Sequence, residues 1–522
     1  MNPLTIGTTL ARRGMLTPGP PVQQVKQLTA LKSWGFGLAG ELRQAANRSP
    51  KAVAVIDETR GATTYAELLA GSEKVAAVIR DLGYGSGDRI GLLARNHVLA
   101  IETMMAASAL GIDLVLGNTG LSGSQFRLVA EQQEIRALIH DDDFADVVAH
   151  LPEELPKVSE SELTRRVAAT AQPPAMSPPD RTGRTIILTS GTTGTPKGAP
   201  RKTPGGFGPL ISIIERIPLK AMDRILISAP IFHTWGYAAM QLSVALRATI
   251  ILQRKFDPER ARQTLEDLQP EAMFAVPVML QRMMELPSDP GGKARRNLRV
   301  VATSGSAYPK GFTQRFMDEY GEVLYNLYGS TEASWVCIAT PADMRRNSET
   351  AGTPPVGTVV KILDDDGAEV RSGTIGRIFA GNEMVFDGYT NGMSKDFVDG
   401  LVATGDVGHV EDGLYFVDGR DDDMIVSGGE NVYPSEVESL LAEHPAVREV
   451  VVVGIPDERF GQRLAAFIAV NEGAELDAEQ VKEHVREHRA RHCIPREVVF
   501  LDELPRNATG KILARELRKQ FD

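Results

Sequence analysis

One ten-residue run constrains this chain more than any other: Thr189-Ser190-Gly191-Thr192-Thr193-Gly194-Thr195-Pro196-Lys197-Gly198, placed directly after the β-branched run Thr185–Leu188. Three glycines permit tight turns, hydroxyls and freed backbone N–H groups can surround an anion, and one Lys can neutralise it. By residue type this is a polyphosphate grip at the end of a buried strand. It is not a Walker A loop, because that pattern needs a Gly-Lys pair followed by Ser or Thr, whereas Pro196 precedes Lys197 and Gly198 follows it.

Strand and helix patterns alternate ahead of this loop. Tyr65 to Leu82 repeats apolar residues at helical spacing, Arg89–Ala94 reads as strand, Ala100–Leu110 as helix and Asp113–Leu116 as strand. The alternation predicts an α/β fold, a large N-terminal domain of mostly parallel sheets covered by helices. The last hundred residues differ. Ser435 with Glu438 predicts a capping box opening a helix with Val437, Leu440 and Leu441 on one face, and the strand Val450–Val453 follows. Asp477 with Gln480 opens another helix, Glu497–Leu501 is a strand and Lys511–Gln520 a final helix. This reads as a small α+β domain over 420–522 behind a large domain over 1–419. The border is set near Gly419–Asp423, where Gly, Arg and three acids interrupt the apolar pattern. A length of 522 residues itself asks for more than one core.

The net charge of −11, from 57 Lys plus Arg against 68 Asp plus Glu, argues against nucleic acid as a partner. With 42% apolar and 24% charged residues the chain sits in the ordinary globular range. Two cysteines, Cys337 and Cys493, suit a reducing compartment and offer no zinc cluster. Arg12 and Arg13 are followed by Thr, Pro and Gly rather than an apolar leader core. Val98 to Gly117 is the most apolar long stretch, but Glu102 and Asp113 make it a buried helix and strand rather than a membrane span. The expected location is cytoplasmic.

Further motifs follow the phosphate loop. Tyr328-Gly329-Ser330-Thr331-Glu332 brings an aromatic face, a turn, hydroxyls and a carboxylate together, as a purine, a phosphate and Mg²⁺ require. After it come Thr404-Gly405-Asp406, Gly419-Arg420-Asp421-Asp422-Asp423 and Pro505-Arg506-Asn507-Ala508-Thr509-Gly510-Lys511. From about Ala39 to the C-terminus, in motif order and spacing, the chain resembles the adenylate-forming superfamily of acyl-CoA synthetases, luciferases and peptide-synthetase adenylation domains. It is most similar to a bacterial fatty-acyl-CoA synthetase.

The resemblance implies roles residue by residue. Thr189, Ser190, Gly191, Thr192, Thr193, Gly194 and Lys197 hold the ATP phosphates. Tyr328 stacks on adenine, Gly329 and Ser330 belong to the same nucleotide motif, Thr331 contacts the α-phosphate and Glu332 holds Mg²⁺. Asp406, expected in a turn after a strand, reads the ribose hydroxyls with help from Arg420. Gly305, Ser306 and Ala307 pack against adenine and Asn326 meets its edge. His233, Trp235, Tyr237 and Gly329 line the acid pocket, and His233 is not a proton-transfer base, since an ionised carboxylate needs none. Lys511 enters from the small domain to bridge carboxylate and α-phosphate.

The implied reaction is acid plus ATP to acyl-adenylate and pyrophosphate, then thiol attack to a thioester and AMP. The small domain rotates between the two steps about a hinge at Asp422. Ser427, Gly428, Gly429 and Glu430 border the coenzyme A tunnel. Trp235 to Ala245, Ser304 to Tyr308 and Ser334 to Thr340 are apolar or small and offer no cation for a second carboxylate. An apolar monocarboxylic acid is therefore expected, a fatty acid first and a bulky aromatic or terpenoid acid second. The alternatives are an acyl-AMP ligase serving a carrier protein or partner enzyme, and a catalytically silent acyl- or nucleotide-binding protein. A homodimer is compatible with the sequence.

Overall fold

The structure is a computed structural model and describes residues 2–171, 173, 175–189, 196–287, 292–421, 425–427, 430–432, 434–457, 461–489, 491–507, 510 and 512–521. Three sheets build the large domain. The first has six strands in the order Lys157–Ser159, Ala137–His140, Arg89–Leu93, Asp113–Leu116, Thr185–Thr189 and Lys197–Pro200. All its pairings are parallel except the last, where Thr189 faces Lys197.

The second sheet has eight strands: Ser334–Ala339, Leu324–Ser330, Val300–Ser304, Ala272–Ala275, Arg224–Ile227, Thr249–Leu252, Val53–Asp57 and Gly61–Thr64. It is parallel inside and antiparallel at both ends. The third is a five-stranded antiparallel sheet that includes Gly376–Gly381, Leu401–Glu411 and Leu414–Arg420. Beyond residue 424 a separate sheet, centred on Val447–Asp457 and Gly461–Val470, packs with two helices over its own core of Val437, Leu440, Leu441, Val481 and Val485. The relation predicted from alternating strands and helices is thus observed: an α/β body and a small α+β domain.

Local chemistry explains most of the element boundaries. The helix Tyr65–Asp81 starts at a capping box between Thr64 and Glu67, and the Tyr65 hydroxyl donates to the Ala248 carbonyl at 2.7 Å. The helix Val98–Leu110 is buried nearly throughout and ends on Gly111 in the left-handed conformation. Its Glu102, 0% exposed, accepts two hydrogen bonds from Arg60 at 2.5 and 3.0 Å. Asp113 is likewise buried and paired with Arg181 at 2.7 Å. No helix among the described residues is long and apolar enough to cross a membrane.

Three local expectations fail for identifiable reasons. Asp477 and Gln480 form the expected capping box, but Ser435 and Glu438 do not. The Ser435 hydroxyl donates to the Asp418 carbonyl, and the Glu438 carboxylate accepts the Val452 amide at 2.7 Å, so tertiary partners displace the local cap. The final helix covers only Ala514–Arg518, because Ile512 forms a β-bridge with Arg506 and Leu513 donates to the Pro505 carbonyl. Asp406 lies inside the strand Leu401–Glu411 rather than in a turn after one: Gly405 takes φ +83° where the pairing with Gly376–Gly381 shifts register, and the pairing with Leu414–Arg420 begins at Asp406.

Removing Arg60 would strand a fully buried carboxylate. Arg60→Ala should cost about 2–3 kcal/mol in denaturant unfolding, below the fully buried range because the Arg is itself half exposed. Adding Glu102→Leu should recover most of that loss; a double variant no more stable than the single one would contradict this reading.

Candidate active site

The site grows from the end of the strand Leu324–Ser330. Its antiparallel neighbour Ser334–Ala339 folds back so tightly that a Cβ on Gly329 would lie 2.0 Å from the Ser334 carbonyl oxygen. The pairing register shifts between Tyr328 and Gly329, and the tight return presents Thr331 and Glu332 at its tip. The Thr331 hydroxyl lies 2.8 Å from that of Thr234, and its carbonyl accepts the Arg201 guanidinium at 2.8 Å. The Tyr389 hydroxyl donates to Glu332 at 2.6 Å, and the Lys197 ammonium sits 5.4 Å over the Tyr389 ring.

Asp406, Arg420 and Tyr328, suspected from three separate motifs, meet in the fold. The Tyr328 hydroxyl donates to Asp406 at 2.6 Å, and Arg420 approaches the other carboxylate oxygen at 3.3 Å. Strand register sets this up, because Asp406 is paired with Arg420 across the ladder. Gly305, Ser306 and Ala307 follow the adjacent strand Val300–Ser304 and are exposed, while Asn326 accepts the Thr303 hydroxyl at 3.2 Å.

Against this tip opens a cavity of about 260 Å³. Gly305, Gly329, Ser330, Thr331 and His233 form one end, and Phe36, Glu41, Phe207, Gln241 and Ala245 contribute to its wall. His233 precedes the helix Thr234–Ala245, and its Nε2 is buried without a partner among the described residues. Burial pushes the ring pKa down to about 4, so it is neutral at physiological pH. Trp235 lines the cavity and anchors its indole N–H on the Ala275 carbonyl at 3.0 Å.

Tyr237, expected in the acid pocket, is not among the residues lining this cavity. Two positions past Trp235 the helix has turned it away, and its hydroxyl meets Thr185 at 3.1 Å beside a smaller polar recess. The three segments expected to line the pocket bring no cation to it; Arg201, from another segment, reaches the cavity at the end where its guanidinium donates to the Thr331 carbonyl. Glu41 went unsuspected. The signal is an acid on the apolar stripe Leu38, Leu42, Ala45 of a buried helix, a place where a carboxyl is costly.

Magnesium fits the donor set. One Glu332 oxygen is committed to Tyr389, and the other accepts no hydrogen bond among the described residues. Mg²⁺ is commonly held by one or two carboxylates, phosphate oxygens and water, which a single Glu beside a phosphate loop satisfies. Ser190, Gly191, Thr192, Thr193, Gly194, Asp422, Gly428, Gly429 and Lys511 lie outside the described residues, as do the side chains of Ser427 and Glu430. Gly510, next to Lys511, packs so closely on the helix Pro277–Met284 that a Cβ there would meet Val278 at 2.1 Å.

The neutral His233 has a thermodynamic consequence. The unfolded chain takes up this proton below pH 6.5 and the folded chain only near 4, so the contribution to stability is present above 6.5 and is lost as pH falls towards 4. His233→Asn should flatten that acid-side fall in melting temperature; an unaltered curve would mean the ring titrates normally in the fold.

Comparison with known proteins agrees with this geometry. The chain matches the AMP-binding enzyme family over residues 42–390 and the AMP-binding enzyme C-terminal domain over 436–511. It is 33% identical to an indoleacetate–CoA ligase of Aromatoleum aromaticum, covering 87% of this chain and 92% of that one. It is 29% identical to the long-chain-fatty-acid–CoA ligase FadD13 of Mycobacterium tuberculosis, covering 92% and 97%. The o-succinylbenzoate CoA synthetase of Bacillus subtilis, solved with the acyl-adenylate intermediate OSB-AMP, superposes with a TM-score of 0.80 at 27% identity, covering 92% of this chain and 97% of that one. With both family models matched in order around this pocket, the chain belongs to the AMP-binding enzyme family, the adenylate-forming enzymes that its motifs resemble.

Proposed function

We propose that the chain is an AMP-forming acid–thiol ligase that uses ATP and coenzyme A to convert a carboxylic acid with a largely apolar ring or chain body into its thioester. The observation that carries this reading is the cavity itself, which opens on Thr331, Ser330 and Gly329, directly ahead of Glu332 in the chain, and on Gly305 of the other nucleotide motif. An acid seated there has its carboxylate at the phosphate motif and its body among Trp235, Phe36, Phe207 and other largely apolar residues. The aromatic and aliphatic side chains along this wall suit an acid with a largely apolar body.

In the first step a substrate carboxylate oxygen attacks the α-phosphorus of ATP, the bond to the β,γ-phosphates breaks and pyrophosphate leaves. Arg201 supplies positive charge at the point where two anions must approach, and the Thr331 hydroxyl, braced by Thr234, faces the same point. Asp406 and Arg420 take the ribose, with Tyr328 holding the Asp in place. Mg²⁺ held by Glu332 supplies charge neutralisation for the phosphates. His233, neutral, shapes the mouth of the acid site without moving a proton. In the second step the coenzyme A sulfur attacks the acyl carbon, loses its proton, and AMP departs. Lys511 serves the first step from the small domain, which we set to begin where the strand Leu414–Arg420 of the large domain ends. Asp422 is the hinge, and the tunnel for the thiol runs past Gly428 and Gly429.

Lys511→Ala should lower pyrophosphate release by about 10²-fold or more while leaving thioester formation from supplied acyl-adenylate within a few-fold of normal. Equal loss of both half-reactions would sink the domain-alternation assignment. Gly429→Leu should do the opposite, retaining pyrophosphate release and losing thioester. An acid panel read by both products tests the ligase reading itself: pyrophosphate without coenzyme A thioester would point to carrier-protein transfer instead.

A further inference from the structure

The wall of the acid cavity away from the phosphate motif carries a carboxyl group. Glu41, 7% exposed, sits on the buried helix Leu38–Arg48 and lines the cavity. One of its oxygens accepts the Gln44 side-chain amide at 3.1 Å. Gln44 is fixed in turn, donating to the Ala245 carbonyl at 3.2 Å and accepting from Gln27 at 2.7 Å. The second Glu41 oxygen has no partner among the described residues. Gln241, which also lines the cavity, has an amide with no partner among the described residues. A helix rises 1.5 Å per residue, so Gln241 stands about 10 Å beyond Thr234, which lies at the reacting end.

A ligand that displaces water from this wall must meet these two polar side chains or leave them unpaired, which is costly. Resting on the ligase reading above, we infer that Glu41, with Gln241, is a specificity-determining pair that recognises a hydrogen-bonding group on the acid at the end remote from its carboxylate. The substrate class is then a ring or chain acid with a distal hydroxyl, amine or ring N–H about 10 Å from the carboxyl carbon, and not a plain hydrocarbon acid. Burial pushes the Glu41 carboxyl up to about 8, so near neutral pH it keeps its proton and can both donate and accept. An unsubstituted ring or methyl end would leave both groups unpaired, and this is the kind of mismatch by which a polar site rejects an apolar analogue.

The test uses the full chain with two matched pairs of acids: phenylpropanoate against its para-hydroxy counterpart, and octanoate against its terminally hydroxylated counterpart. Pyrophosphate release gives kcat/KM for each. The wild type should prefer the hydroxylated member by about tenfold or more. Glu41→Leu should erase or reverse that preference, chiefly by raising kcat/KM for the unsubstituted member, while Glu41→Gln keeps part of it. Gln241→Leu provides a second variant on the same wall, and melting temperatures report that each variant is folded. Pyrophosphate release at one unchanged ratio in wild type and all variants overturns this inference alone. No pyrophosphate from any of the acids with the wild type overturns the ligase reading and this inference with it.

Discussion

One guanidinium ties the architecture to the chemistry. Arg201 follows the last strand of the six-stranded sheet, and its own amide continues that ladder onto the Thr185 carbonyl at 2.8 Å. Its side chain leaves the sheet and donates to the carbonyl of Thr331, at the tip of the eight-stranded sheet. Thr331 is braced from the other side by Thr234, the first residue of the helix whose inner face lines the acid cavity. Three elements far apart in the chain therefore converge on one residue. Burial draws the Arg201 pKa below its ordinary value, yet a guanidinium stays charged, so the joint also fixes a cation where a carboxylate and a phosphate, both anions, must meet.

How much of this was legible in the sequence depends on how local the cause is. The alternation ahead of the phosphate loop predicts the parallel sheets because period and turn residues are local properties, and Asp113–Leu116 appears with the predicted bounds. The Asp477–Gln480 box forms because nothing competes for its partners, whereas Ser435 and Glu438 are claimed by Asp418 and Val452 from other elements. No window of sequence contains that competition. Asp406 and Arg420 are individually suspected from their motifs, but their contact is a consequence of strand register.

The acid pocket was the least legible part, for the same reason. Trp235 was expected there and is there; Tyr237, two residues on, is rotated towards Thr185 by helical geometry. Arg201 and Glu41 come from segments that no pocket motif covers. Glu41 is nonetheless visible in retrospect as a charged residue whose neighbours are buried. The overall charge of −11 carried no information about this, since the residues that handle anions are a few cations placed by the fold, among them Lys197, Arg201 and Arg420.

The central claim is that this pocket makes an acyl-adenylate and passes it to coenzyme A. A single-turnover experiment with enzyme in excess over α-labelled ATP, magnesium and a hydroxylated aromatic acid addresses it directly. Acyl-adenylate should accumulate without coenzyme A, then convert to AMP and thioester when coenzyme A is added. Labelled AMP appearing only as a hydrolysis product, or an adenylate that coenzyme A does not discharge, would contradict the account.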